Sequence, residues 1–492
     1  MNNNTLKDRG FLKDSSIYFT GSLVTAGINF LTLPIYTRFL SPSDYGVVSL
    51  FLMFGQVSAG LVSLGLQSAS YRYYFKYKDR INKFKSLNSS IIIFLSIIYF
   101  ICTISIQFYG EWFSTVLFDN KISARLIKLS FVSGCMEYLF IYFTFILTAQ
   151  LRSVTFTIIT ISKILIHTSF ALYFFIIHSF TFLSLIYATL ISQAIMIFCL
   201  ALLMSNVLHF HFSFFYLKKS LKFSYPLIFR LVIGMIHKSF DKIMLTNFSS
   251  LDSVGYYSIG EKTASTLKLI MDSIGKVWNP YFQNNAHDNT KESKKNIANR
   301  YLEISFFIMT FGLFIICFSE EIIKLLTTEE FYPAMFITPV YIYYILFGIM
   351  GMISVQQIQF SEKTLYMLPA SIVSVLINII LNIILIPKFG ALGAVMSLSI
   401  AGLFSSLVHF YFGFKLYPVP LDFKKFIGMF VLILVFTIPV YPLMNLNINF
   451  LFKIFGKLSI ITLFIISGFY FKFIYYNRVR LLVKILNPLK NK

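Results

Sequence analysis

Nine ionisable side chains lie in two neighbouring stretches, 223–248 and 254–282, each long and apolar enough to cross a membrane. They are Arg230, Lys238, Asp241, Lys242, Glu261, Lys262, Lys268, Asp272 and Lys276. A charge facing lipid at the bilayer centre costs ~3 kcal/mol on insertion scales, so nine would approach ~25 kcal/mol, and they must face protein or water. Six are cationic and three anionic, and charge kept at that depth usually lines a substrate or ion path. The cationic surplus suits a pyrophosphate or a sugar acid better than a cationic drug.

Helical spacing sorts these residues onto faces. At 100° per residue, Arg230, His237 and Asp241 fall within about 40°, with Lys238 and Lys242 on an adjoining strip. On the next helix Glu261, Ser265, Lys268, Asp272 and Lys276 fall within about 80°. Each helix thus has one wet face, and the expected anion-binding set is Arg230, His237, Lys238, Lys242, Lys262, Lys268 and Lys276. The acids Asp241, Glu261 and Asp272 have two readings: coupling to protons or sodium, or neutralising lysines, as Asp272 could for Lys268 at i,i+4. Lys163, one turn from His167, either joins the same cavity or snorkels toward the helix end. Asn29, Thr32, Gln56 and Asn378 are candidate contacts to sugar hydroxyls, with interhelical hydrogen bonds as the alternative.

Other chemistries find no support in the sequence. No P-loop, GxGxxG, HExxH or GxSxG string stands in a suitable context, so no catalytic residue, nucleotide site or metal is expected. Cys102, Cys135, Cys199 and Cys317 sit singly in apolar runs without CxxC spacing and read as reduced packing residues. No cofactor is expected beyond a coupling proton or sodium ion.

The elements that must hold the charged faces follow from composition. The chain of 492 residues is 57% hydrophobic and 13% charged, with a mean hydropathy of +0.75, which excludes a soluble fold. The net charge of +22 reflects topology rather than nucleic-acid binding, because the basic residues sit in short loops. Apolar windows of about 20 residues fall near 15–37, 45–66, 88–108, 127–148, 154–177, 181–206, 223–248, 254–282 and 300–319. Five more fall near 334–356, 364–386, 391–413, 425–444 and 456–474, making an all-α membrane protein of 14 transmembrane helices. With a cytoplasmic N-terminus the inner segments hold 27 Lys or Arg and the outer segments eight, which predicts both termini inside. Lys7, Arg9 and Lys13 precede an apolar run too long for a signal h-region, so 15–37 is read as the first helix. No loop is long enough to fold as a domain. The aromatic run His209–Tyr216 is either an interfacial segment or a connector.

The sequence also repeats. Residues 39–49 align without gaps on 248–258, four identities in eleven, at an offset of 209, and the same offset places 389–394 on 180–185. Two pseudo-symmetric six-helix lobes are expected, 1–212 and 213–416, followed by two further helices and a basic tail, 417–492. Such an arrangement suits alternating access about a midplane site. Subtracting 209 maps Lys238, Asp241 and Lys242 onto Asn29, Thr32 and Leu33, and Glu261, Lys268, Asp272 and Lys276 onto Leu52, Ala59, Ser63 and Gln67. Charge is therefore expected in the second lobe alone.

Leu33-Pro-Ile-Tyr-Thr-Arg-Phe-Leu-Ser-Pro-Ser-Asp-Tyr-Gly46 and Gly65-Leu-Gln-Ser-Ala-Ser-Tyr-Arg72 resemble the opening of Wzx-type polysaccharide flippases, part of the multidrug/oligosaccharidyl-lipid/polysaccharide exporter superfamily. Asp241-Lys-Ile-Met-Leu, Val254-Gly-Tyr-Tyr and the run from Asn378 to Gly393 extend the resemblance over roughly 12–415. It implies a bacterial cytoplasmic-membrane protein that moves undecaprenyl-pyrophosphate-linked oligosaccharide to the outer leaflet for O-antigen or capsule. It also implies work beside a polysaccharide polymerase and chain-length machinery. The last two helices carry no such signature and are read as a lipid-facing groove for the polyprenyl tail. The rival readings are a drug/cation antiporter of the same fold, which predicts an acidic cavity, and a membrane-embedded glycan polymerase or ligase, which predicts a sizeable outer loop.

Overall fold

A computed structural model of the protein describes residues 17–18, 20–77, 80–179, 181–205, 212–445 and 449–473, without the side chains of 226, 227, 229–233, 236–238 and 445. The described residues are helical almost throughout and contain no strand. In chain order the helices are α1 (20–31), α2 (Leu33–Phe39), α3 (Pro42–Val62), α4 (Leu66–Tyr77), α5 (Ile81–Phe118), α6 (Ala124–Ala149), α7 (Ser153–Ile177) and α8 (Phe182–Leu203). There follow α9 (Phe214–Phe248), α10 (Leu251–Asp288), α11 (Lys291–Cys317), α12 (Ser319–Leu326), α13 (Ala334–Phe360), α14 (Leu368–Leu416), α15 (Phe423–Thr437), α16 (Val440–Asn445) and α17 (Phe450–Tyr470).

Local sequence explains where these helices begin and turn. The hydroxyl of Ser41 accepts from the Asp44 amide while the Asp44 carboxylate reaches back to the Ser41 amide, with Pro42 in the first turn of α3. Gly390 interrupts α14 at φ 54°, a left-handed conformation that glycine adopts without strain. A Cβ on Gly393 would meet the Leu385 carbonyl oxygen at 2.3 Å, so the chain folds back here and α14 supplies both windows expected at 364–386 and 391–413. Among the described residues ten helices are long and apolar enough to cross a membrane, counting α14 once. The charged helices α9 and α10 are not among the ten. At 1.5 Å per residue the 38 residues of α5 and of α10 extend about 57 Å against an apolar slab of ~30 Å, so their ends project or the helices tilt.

The chain divides into two compact units, one of residues 1–258 with Leu326–Phe331, the other of Ile259–Leu325 with 332–492. In the first, α3 packs on α6 and α7 on α8, and α9 joins them through α3, α4 and α5. At the start of α9, Lys219 donates to the Tyr77 hydroxyl at 2.6 Å and Arg72 lies 4.4 Å over the Phe223 ring. The same unit holds a reciprocal contact. Ser258 donates to Ser49 at 2.7 Å, a Cβ on Gly46 would strike the Leu251 carbonyl oxygen at 2.3 Å, and one on Gly255 would strike that of Pro42 at 2.1 Å. Positions 42 and 251, 46 and 255, and 49 and 258 are each 209 apart, so the two repeat segments meet across a local two-fold. Two contacts flank this joint: Thr37 donates to the Leu326 carbonyl at 3.2 Å, and Lys121 donates to the carbonyl of Thr246.

In the second unit, α13 packs along α14, and α15 and α17 dock on α11. The rings of Phe306 and Phe464 stack at 4.9 Å, and Trp278, Tyr301 and Phe426 are buried in the same core. Polar anchoring adds to this. Lys457 of α17 is fully buried and donates to Glu321 at 2.6 Å and 2.8 Å and to Glu320 at 3.3 Å. Lys324 and Lys453 reach the other oxygen of Glu320 at 2.7 Å and 3.4 Å. The last transmembrane segment, α17, is thus tied to the short helix α12.

Candidate functional site

The charged face of α10 forms because its other side is consumed by packing. Ala264, Leu267, Trp278, Phe282 and Ala286 are buried in the core of the second unit, which turns Lys268, Asp272 and Lys276 outward, and all three are exposed. No ion pair joins Lys268 to Asp272 among the described residues, although their i,i+4 spacing allows one. Exposed lysines gain little from such a pair. Glu261 and Lys262 are half-buried, and the Tyr341 hydroxyl donates to Glu261 at 3.3 Å.

The residues of α9 divide differently. Asp241 is 1% exposed and accepts from the Tyr257 hydroxyl at 2.9 Å. Lys242 donates to Ser49 at 3.0 Å, beside the Ser49–Ser258 bond. The side chains of Arg230, His237 and Lys238 lie outside the described residues.

A second polar site lies wholly inside the first unit. A cavity of about 220 Å³ is lined by Asn29, Gln56, Glu137, Lys163, Thr189 and Gln193, with Leu52 and Ile164 as apolar wall. Glu137 is the one acid of α6 and Lys163 the one charged residue of α7. They pair at 2.5 Å with about a fifth of each side chain exposed. Gln193 donates to the same Oε2 of Glu137 at 2.9 Å and accepts from Ser133 at 3.0 Å. Lys163 also lies 4.0 Å over the Phe140 ring. His167 is held between Tyr36 and Thr189, at 3.4 Å and 3.2 Å from its two ring nitrogens.

These positions correct two expectations. Charge is not confined to the second half of the sequence, since Glu137 and Lys163 form an ion pair between α6 and α7. Lys163 does not snorkel, because a carboxylate and an aromatic face lie within its reach inside the unit. Of the candidate sugar contacts, Asn29 and Gln56 line the cavity, whereas Thr32 is buried and donates to the Asn29 carbonyl at 3.1 Å. Asn378 is buried in the second unit and accepts from Asn382 at 2.9 Å. Glu137 escaped the sequence reading, although a lone acid in one span and a lone base in the next signal a pair that each other's presence makes tolerable. Among the described residues no group of His, Cys, Asp or Glu could hold a metal ion.

Comparison with known proteins places this arrangement. A profile of the polysaccharide biosynthesis protein family matches residues 11–286, more than half of the 492 residues. Lsg locus putative protein 1 of Haemophilus influenzae is 25% identical over 298 residues, 55% of this chain and 65% of that protein, so the match spans just under two thirds of the relative. The solved structure of lipid II flippase MurJ in an inward closed conformation is similar with a TM-score of 0.72 and 19% identity, over 94% of this chain and 99% of that one. An inward-facing multidrug resistance MATE transporter of the MOP superfamily gives 0.64 at 14% identity, over 79% and 94%. A MOP superfamily transporter from Pyrococcus furiosus gives 0.57 at 15% identity, over 82% and 95%. The fold is the one these membrane transporters share, and this is a multi-pass membrane protein. By the family match over more than half its length, the chain belongs to the polysaccharide biosynthesis protein family.

Proposed function

We propose that the protein is a flippase that carries undecaprenyl-pyrophosphate-linked oligosaccharide from the cytoplasmic to the outer leaflet of a bacterial inner membrane by alternating access. The observation that carries this reading is the outward-turned charged face of α10, two exposed lysines with one exposed aspartate, in a fold shared with lipid and drug transporters, within a family of polysaccharide biosynthesis. Lys268 and Lys276 are exposed on α10, which suits a mobile anionic ligand that must be bound and released. The residues proposed to take the pyrophosphate are Arg230, Lys238 and Lys268, with Lys242, Lys262, Lys276 and His237 as further cations. Glu261 and Asp272 couple the cycle to an ion. In the expected topology both termini are cytoplasmic, the lobes run 1–212 and 213–416, and segment 417–492 attends the polyprenyl tail. A polymerase and chain-length machinery consume the product.

The test is made in a strain depleted of the protein and complemented with Lys268→Ala or Arg230→Ala. Each variant, at normal protein level, is expected to cut surface polymer at least tenfold and to accumulate lipid-linked glycan accessible only from the cytoplasmic face. Normal export by both variants removes these residues from the pathway. A drug/cation antiporter would need an acidic cavity, whereas the carboxylate of the first unit's cavity is balanced by Lys163.

A further inference from the structure

The cavity of the first unit has a chemistry distinct from that of the α10 face. Its volume of about 220 Å³ is below the ~300–1,000 Å³ of pockets for drug-sized ligands, a size that suits one ring. Its formal charges cancel, one carboxylate against one ammonium. An anionic or cationic guest would have to compete with an ion pair already formed at 2.5 Å. What remains is the amides of Asn29 and Gln56, which both donate and accept, and the hydroxyl of Thr189, whose proton goes to the Leu185 carbonyl at 2.7 Å and whose oxygen can still accept. Both bonds to Glu137 fall on Oε2, which leaves Oε1 to accept from a guest. Leu52 and Ile164 supply an apolar wall for C–H groups.

Sugar hydroxyls have the same two-way capacity, and a pyranose ring presents hydroxyls at its edge and C–H groups on its faces. Resting on the flippase reading above, we propose that this cavity is a glycan subsite that seats a single uncharged sugar ring of the lipid-linked oligosaccharide. Glu137 Oε1 and the Gln56 amide address hydroxyls, and Lys163 with Gln193 holds the carboxylate in place. His167 fixes Thr189 through their 3.2 Å contact.

The experiment uses the full-length protein in phosphatidylethanolamine–phosphatidylglycerol nanodiscs with two probes. One is bare undecaprenyl pyrophosphate and the other is the glycan-bearing lipid extracted from cells depleted of the protein. Wild type is expected to bind the glycan-bearing lipid at least tenfold more tightly than the bare one. Gln56→Leu and Thr189→Val should each shrink that ratio fivefold or more, with affinity for the bare lipid unchanged. A ratio unaltered in both variants overturns the subsite while the flippase reading stands. If wild type binds neither lipid, the flippase reading fails. Monosaccharides released by acid hydrolysis from the cell-surface polymer then decide the cavity: binding by wild type and not by Thr189→Val retains a sugar site, and no binding removes it.

Discussion

Removing one partner of the Glu137–Lys163 pair leaves the other charge inside an apolar bundle. For fully buried pairs that loss is ~3–5 kcal/mol, and here it is smaller because about a fifth of each side chain remains exposed. Glu137→Gln and Lys163→Met are each expected to lower the melting temperature of the purified protein. The double substitution should recover most of the loss, because no charge is then left unpaired. Additive losses in that cycle would show that the pair is not coupled. The pair was hidden in the sequence because its members are 26 positions apart, and whether two such residues meet depends on how α6 and α7 are rotated. Lys268 and Lys276 were legible for the opposite reason: their face follows from periodicity within one helix, and the structure leaves both exposed.

Among the helices, α17 is the one whose attachment rests most visibly on charge. Lys457 is fully buried among Glu320 and Glu321. Burial pushes the Glu320 carboxyl up, but the hydrogen bond from Lys324 and the charge of Lys457 outweigh it and hold the group below its ordinary range. A depressed carboxyl stabilises the fold above its unfolded value and loses that contribution as pH falls through the folded value. Thermal stability of wild type should therefore decline on acidification below the ordinary carboxylate range. Lys457→Met should melt lower at neutral pH and show a flatter acid limb, as measured by fluorescence-detected melting between neutral and acid pH. An acid limb parallel to wild type would mean that the network does not anchor α17. Long helices were readable from apolar runs alone, whereas α4 and α12 were not, since Leu66–Tyr77 is only weakly apolar and Ser319–Leu326 is too short to span.

Across the full chain, the 209-residue offset recurs as physical contact between positions 42–49 and 251–258. Gly46→Ala would place a methyl carbon against the Leu251 carbonyl, and Gly255→Ala one against that of Pro42. Each is expected to separate the start of α3 from the start of α10, and the two losses should be strongly less than additive, because either one opens the shared contact. Equal and additive effects on melting temperature would argue against a single reciprocal joint.

That joint also bears on ancestry. If one ancestral segment once packed against a second copy of itself, any ionised side chain on the axis would have faced its own twin, and like charges so placed repel. Once the two copies were fused into one gene, each position acquired a counterpart free to differ. The modern pairs Leu33 and Lys242, and Leu52 and Glu261, show that liberty in use. A fusion of that kind turns a symmetric interface, in which a new lysine is always two lysines, into an asymmetric one that can gain a single charge on one side.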